Sequence, residues 1–65
     1  MKDFEGKVLK VYSNNTEGLI CLKANFIRYC DGFLIIQDQA SKRIRYLNKD
    51  YIRSIEIMGD IDEER

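Results

Sequence analysis

The sequence predicts an all-β domain, a small and strongly bent antiparallel barrel of five strands. Its apolar runs are short and rich in β-branched and aromatic residues. Turn-forming residues recur about every 8 to 12 residues, as in small sandwiches and barrels. No segment keeps the 3.6-residue apolar period of a buried helix. The 65 residues make a single domain, predicted over residues 1–59, followed by an acidic flexible tail at 60–65.

The first half of the chain is predicted to hold two strands. The first spans residues 7–12, and Ser13-Asn14-Asn15-Thr16 forms the turn after it, because asparagine tolerates a left-handed backbone. The second apolar run, Gly18–Cys30, is too long for a flat strand. We therefore expect it to bend strongly or break near Ala24-Asn25, which lets a small sheet curl.

Asp31-Gly32 is the strongest local signal in the chain. It separates two apolar runs that end at Cys30 and begin at Phe33. A type I′ turn needs positive φ at both central residues, and the Asp-Gly pair adopts this conformation readily. The sequence therefore predicts a tight hairpin at this position.

The second half of the chain is predicted to hold three more strands. In strand four, alternation puts Ile44 and Tyr46 on one face and Arg43 and Arg45 on the other. The elements follow in the order strand three at Phe33–Asp38, a turn at 39–42, strand four at 43–47, one 3₁₀ turn at 48–50, and strand five at 51–58, ended by Gly59.

Two segments carry a resemblance to a known family. The run Phe33-Leu34-Ile35-Ile36-Gln37-Asp38 is similar to the third strand of Sm-like proteins, the family of Sm, Lsm and Hfq. Residues 48–56, which include Ile52 and Ser54-Ile55-Glu56, are similar to that family's closing loop and fifth strand. Gly18 matches a glycine early in the bent second strand.

The resemblance covers about residues 7–58 and implies a small barrel of Sm-like or SH3-like form. It also implies RNA binding and a ring in which the fourth and fifth strands of adjacent subunits pair. The chain departs from the family in the loop between strands two and three. Phe33 stands where the family has an asparagine that contacts RNA bases.

Size and composition limit how this domain is stabilised. A chain of about 60 residues buries only about 60% of its unfolded surface, and such folds commonly add a disulfide, a metal or a partner subunit. Cys21 and Cys30 are expected to be free, buried apolar side chains. Two cysteines without a histidine do not make a zinc site. Self-association is the remaining support, so we expect a homo-oligomer.

The residues that are missing disfavour several classes of function. The chain has no histidine, which is the commonest general base, and its four glycines are isolated, so they form no phosphate-binding loop. We predict no catalytic residue, no cofactor and no small-molecule substrate. The apolar runs are too short to span a membrane, and free thiols without a targeting segment predict a cytoplasmic protein.

Charge is unevenly distributed along a chain whose formal net charge is zero. Residues 7–53 carry nine lysines and arginines against four acids, whereas residues 54–65 carry five acids against one arginine. Basic side chains interleaved with tyrosines are typical of a groove that follows phosphates and stacks bases. The alternative is an ordinary solvated face with Tyr46 in the core. The predicted nucleic-acid-binding residues are Lys42, Arg43, Arg45, Lys49, Tyr51 and Arg53.

Strand five has more apolar residues than one buried face needs. It is either a central strand buried on both faces or an edge that pairs with a neighbouring subunit. The residues predicted for this oligomer interface are Ile52, Ile55 and Ile57.

Two classes of function follow from these observations. The first is a non-enzymatic module that binds single-stranded RNA as an Sm-like oligomer. The second is a structural or regulatory module that contacts proteins, its own copies included, without binding nucleic acid. An enzyme is a distant third.

Overall fold

The fold is all-β, with five antiparallel strands in one sheet. It is given by a computed structural model that describes residues 2–64 and the side chains of residues 2–62. The strands are β1 Lys7–Asn15, β2 Gly18–Cys30, β3 Phe33–Asp38, β4 Ile44–Asn48 and β5 Ile52–Asp60. Short 3₁₀ turns cover Lys2–Phe4, Lys49–Tyr51 and Ile61–Glu64, and residues 2–64 contain no α-helix.

The sheet is strongly curled because its two outermost strands are joined by a very short connection. The strand order is β4-β3-β2-β1-β5, so β4 and β5 are the terminal strands. Five flat strands would place them about 19 Å apart. The 3₁₀ turn Lys49–Tyr51 between them advances only about 2 Å per residue. The ends of β4 and β5 must therefore approach each other here.

The predicted fold class and strand number are confirmed, but the sheet is not a closed barrel. No ladder joins β4 to β5 in the part of the chain that the structure describes. The terminal strands each have one paired neighbour, β3 for β4 and β1 for β5.

The core lies on one face of the curled sheet. Alternate residues of the three central strands meet there, as the two-residue period of a strand requires. The 3₁₀ turn Lys2–Phe4, which the sequence did not predict, adds Phe4. Its ring packs edge-on against Phe26 with 5.8 Å between the ring centroids. The buried cluster consists of Leu9, Val11, Ala24, Phe26, Leu34 and Ile36.

The predicted hairpin at Asp31-Gly32 is confirmed. Both residues have positive φ, 53° and 82°, as a type I′ turn requires. Cys30 and Phe33 on either side of them are directly paired.

The first hairpin is longer than predicted. β1 continues through Asn15, and the turn is Thr16-Glu17 rather than residues 13–16. Ser13 is buried at 3% exposure, and its hydroxyl donates to the Tyr51 carbonyl over 3.2 Å. Burial and this bond hold Ser13 in the strand, and neither is visible in the local sequence.

β2 runs unbroken over its 13 residues. Its irregularity lies at Ile27, between the pairs Phe26–Ile36 and Arg28–Ile35, rather than at Ala24-Asn25. One extra residue in a strand forms a bulge, which increases the local twist and curls the sheet.

β5 ends two residues later than predicted. β5 extends through Gly59 to Asp60, and Lys7 Nζ donates to the Asp60 carboxylate. The Ile61 amide donates to the Gly6 carbonyl over 2.8 Å. The first residues of the predicted flexible tail therefore belong to the folded domain. Arg65, like the side chains of Glu63 and Glu64, lies outside the described part of the chain.

Candidate nucleic-acid interface

The predicted nucleic-acid-binding residues lie at the two ends of β4. Lys42, Arg43 and Arg45 lie at or beside the turn between β3 and β4. Lys49, Tyr51 and Arg53 lie in or just after the 3₁₀ turn that leads into β5. Arg45 and Lys49, the members of the two groups that are nearest in the chain, are four residues apart along β4, about 13 Å in an extended strand. The structure therefore does not bring the six side chains together in one place.

At the β3–β4 turn, Asp38 organises the backbone. Its carboxylate accepts from the Ala40 amide over 3.0 Å, and its carbonyl accepts from the Lys42 amide over 2.7 Å. Lys42 adopts φ of 64° in this turn. Arg45 lies on the core side of β4, opposite Ile36, and its Nε is 3.5 Å from Asp38 Oδ2. An acidic side chain therefore lies against one of the predicted basic residues.

These contacts change the acidity of Asp38. The Ala40 amide, first among the causes, lowers the pKa of this carboxyl below its ordinary value of 3.8, and Ser41 and Arg45 act in the same direction. Burial opposes them by disfavouring the charged form. The net result is a carboxylate that stays ionised because the turn is built around it.

At the other end of β4, Lys49 is held by its backbone. The Lys49 amide donates to the Gly32 carbonyl over 2.9 Å, which ties the 3₁₀ turn to the β2–β3 hairpin. The Asn48 side chain caps the turn by accepting from the Asp50 amide over 2.9 Å. Lys49 itself is exposed.

Tyr51 combines an anchored backbone with an open ring. Its carbonyl accepts a hydrogen bond from the Ser13 hydroxyl, so β1 fixes the position of the turn. Its side chain is 59% exposed. A tyrosine presented in this way offers a flat apolar surface to solvent.

Arg53 is aimed by a bulge in β5. Tyr12 pairs with Ser54 and Ser13 pairs with Ile52, so Arg53 is the extra residue between these two pairs. Bulges redirect side chains and are frequent beside functional sites. When the Asn14 side-chain amide is oriented with its oxygen toward Arg53, that oxygen accepts from Arg53 Nε and from one Nη, each over 2.7 Å.

An open pocket of about 690 Å³ lies between the β1–β2 turn and the start of β5. Sequence reasoning selected Tyr51 and Arg53 from its lining and missed the others. Among the missed residues, Asn14, Asn15 and Thr16 are about 35 positions earlier in the chain than Tyr51. Asp50 is close to Tyr51 in the chain but carries a charge opposite to the expected one. No local pattern joins them. The lining residues are Asn14, Asn15, Thr16, Asp50, Tyr51 and Arg53.

The predicted interface residues of β5 differ in exposure. Ile52 and Ile55 are partly buried and pack against the core cluster of the same chain. Ile57 is 50% exposed, and its neighbour Met58 is 48% exposed. The exposed apolar surface of this strand is therefore at Ile57 and Met58.

The alternation predicted for β4 is correct, and the core lies on the face of Arg45 and Leu47 rather than on that of Ile44 and Tyr46. Tyr46 pairs with Ile35 and Ile44 pairs with Gln37, on the side of the sheet away from the core cluster. Tyr46 is 63% exposed, so it is not a core residue. Leu47, beside it, packs against the core instead.

The expectation that the two cysteines are buried is wrong. Both are free and exposed. Cys21 pairs with Tyr12 and Cys30 with Phe33, which places both thiols on the outer face of the sheet. An apolar run in a curled sheet supplies residues to both faces, and these two fall on the outer one.

No cluster of three or more His, Cys, Asp or Glu side chains suited to a metal ion occurs among the described residues. Within residues 2–64, no helix has the length and apolar character needed to cross a membrane.

No family model matches the chain, and no match was found among curated proteins or among solved structures. The Sm-like resemblance therefore rests on residues 33–38 and 48–56 of the sequence.

Proposed function

We propose that the protein is a non-enzymatic, cytoplasmic module that self-associates and binds single-stranded RNA. The observation that carries the proposal is the exposed ring of Tyr51 between Lys49 and Arg53, on the short connection between the two terminal strands. Aromatic rings stack on bases irrespective of sequence, while lysine and arginine neutralise the phosphates between them. The site needs no cofactor or small-molecule substrate for this role.

Self-association is supported by the two terminal strands. β4 and β5 each have one side without a strand neighbour among residues 2–64. Both carry exposed apolar side chains, Ile44 and Tyr46 on β4 and Ile57 and Met58 on β5. Unpaired edges of this kind favour strand addition. In our proposal β4 of one copy pairs with β5 of the next, which closes the sheets into an Sm-like ring.

RNA binding is tested by fluorescence anisotropy with a labelled uridine octamer at two salt concentrations. Binding is expected to weaken as salt rises, with a slope of about 0.7 per phosphate contact, because each neutralised phosphate releases counterions. A uridine octamer that stays unbound even at low salt would contradict the RNA proposal.

Self-association is tested by measuring molar mass with light scattering over a concentration series. Tyr46→Lys on β4 and Met58→Lys on β5 are each expected to shift the protein to monomer, since a charged lysine blocks an edge. Leu19→Lys is the control matched in exposure, because Leu19 is 61% exposed and lies in β2, a strand that the proposed β4–β5 contact does not involve. A monomeric wild-type protein at high concentration would overturn the assembly proposal.

A protein-contact module is the second candidate, and the outer face of the sheet favours it. Phe33 and Tyr46 lie on this face in the adjacent strands β3 and β4, and both are exposed. Exposed apolar residues that cluster across strands are typical of protein interaction sites. A stable oligomer that binds no RNA would favour this second candidate over the first. Tyr46→Lys should then lose self-association.

A further inference from the structure

We propose that the pocket beside Tyr51 is a subsite for a single nucleotide of a bound RNA strand. The inference rests on the proposed RNA-binding function and deepens it by naming where one base and one phosphate lie. The base would stack on Tyr51, and the phosphate would contact Arg53.

The position of Arg53 suits a phosphate. Asn14 accepts from Nε and one Nη of the guanidinium. Arginine has five N–H donors in a planar fork, so the second Nη is left for a ligand. An arginine already held in place loses less conformational entropy when it binds, which strengthens the contact.

The ring of Tyr51 suits a base. Its backbone is held from two directions, by Ser13 through its carbonyl and by the Asn48 cap at the start of the same turn. The ring therefore projects from a fixed frame while remaining mostly exposed. Stacking on such a preorganised platform costs little rearrangement.

The remaining lining residues orient the nucleotide. Asp50 repels a phosphate, so the anionic group is directed toward Arg53. The Asn15 oxygen accepts from the Glu17 amide over 2.8 Å, which leaves the Asn15 amino group to donate to a base or sugar. The Thr16 hydroxyl can donate or accept. The pocket thus pairs one cationic side with one polar side around an aromatic surface.

The experiment compares octamer binding by the wild type and four variants. Tyr51→Ala is expected to weaken binding by about tenfold, the effect of losing one stacked base, whereas Tyr51→Phe keeps the affinity because its ring still stacks. Arg53→Gln is expected to lower the salt slope by about 0.7. Arg28→Gln removes the same charge from an exposed position in β2, outside the predicted binding residues, and is expected to change affinity by less than about twofold.

A second measurement guards against variants that lose their fold. Amide chemical shifts of the wild-type protein are recorded as the uridine octamer is added. Residues 14–16 and 50–53 are expected to shift most, and residues 40–43 least.

The outcomes separate the two levels of the proposal. If the wild type binds no RNA, the proposed function fails and the subsite fails with it. If the wild type binds but Tyr51→Ala binds equally well, or the shifts centre on residues 40–43, the subsite is overturned while RNA binding stands.

Discussion

The two ends of β4 carry the same number of predicted RNA-binding residues but hold them differently. At the β3–β4 turn, Asp38 accepts from the backbone and lies 3.5 Å from Arg45. At the β4–β5 turn, Tyr51 is exposed and Arg53 is supported by a neutral amide, Asn14. A similar density of basic side chains therefore lies against an acid, Asp38, at one end and lines a pocket together with Tyr51 at the other.

The difference arises from how each end is built. The β3–β4 turn is held by its own side chains, since Asp38 and Ser41 accept from the Ala40 and Arg43 amides, and by β2, since the Gln39 amide donates to the Lys23 carbonyl over 3.0 Å. The β4–β5 turn is held by distant residues, Ser13 in β1 and Gly32 in the second hairpin. At the β3–β4 turn the supporting side chain is an acid that also lies against Arg45, whereas the β4–β5 turn is supported by the neutral side chains of Ser13 and Asn48.

The largest effect on stability is expected from changing the β2–β3 hairpin, which supports the β4–β5 turn through the Gly32 carbonyl. Gly32→Val should reduce the free energy of unfolding by about 2 kcal/mol, because a β-branched residue resists positive φ. A side chain at Gly32 would meet Lys49 Cε at 3.6 Å, an ordinary contact, so backbone strain is the cause. Urea denaturation measures the change.

Asp31→Asn is the matched control for this hairpin, since asparagine tolerates the same turn conformation. It is expected to be close to neutral. Equal stability of Gly32→Val and the wild type would show that the hairpin does not depend on positive φ at Gly32.

A smaller effect on stability, visible in its pH dependence, is expected at the β3–β4 turn. The pKa of Asp38 is lowered in the folded state, so its ionised form stabilises the fold above its ordinary value of 3.8. That contribution is lost as pH falls through the lowered folded pKa. Asp38→Asn should therefore be less stable than the wild type at neutral pH, and the difference should shrink under acidic conditions.

Urea denaturation at neutral pH and at about pH 2 to 3 tests this prediction. Glu17→Gln serves as an exposed control in the β1–β2 turn. A gap between Asp38→Asn and the wild type that stays constant across this range would contradict a role for the ionised carboxylate.

The smallest effect, on RNA affinity, is expected from deleting the acidic end of the chain. Deleting residues 62–65 leaves β5 and its Lys7–Asp60 contact in place. The deleted segment follows the end of β5 that is farthest from Arg53. Because charges are screened within about 8 to 10 Å at physiological salt, RNA affinity should rise by no more than about twofold, and only at low salt. Anisotropy with full-length and truncated protein measures it, and a larger rise would indicate that this segment competes with RNA at the pocket.

Local signals in the sequence gave correct predictions where one short segment decides the structure. Asp31-Gly32 specifies its turn because few residues accept positive φ at both positions. The 3₁₀ step after β4 follows from the Asn48 cap. The five strands follow from short β-branched runs separated by turns.

Predictions that needed the curvature of the sheet were less accurate. Period-two alternation correctly grouped Ile44 with Tyr46, but it could not say which face is the core. The same ambiguity misplaced Cys21 and Cys30. It also could not distinguish Ile52 and Ile55, which pack inward, from the exposed Ile57.

The sequence by itself determined the all-β class, the Asp31-Gly32 hairpin, the 3₁₀ step after β4 and the residue types of the proposed RNA site. Only the tertiary structure decided which face became the core and which side chains met around the pocket. The physical reason is range. Turn conformations and alternation depend on adjacent residues, whereas Asn14 and Arg53 meet because the sheet pairs β1 with β5, and the bulge at Arg53 then aims its side chain.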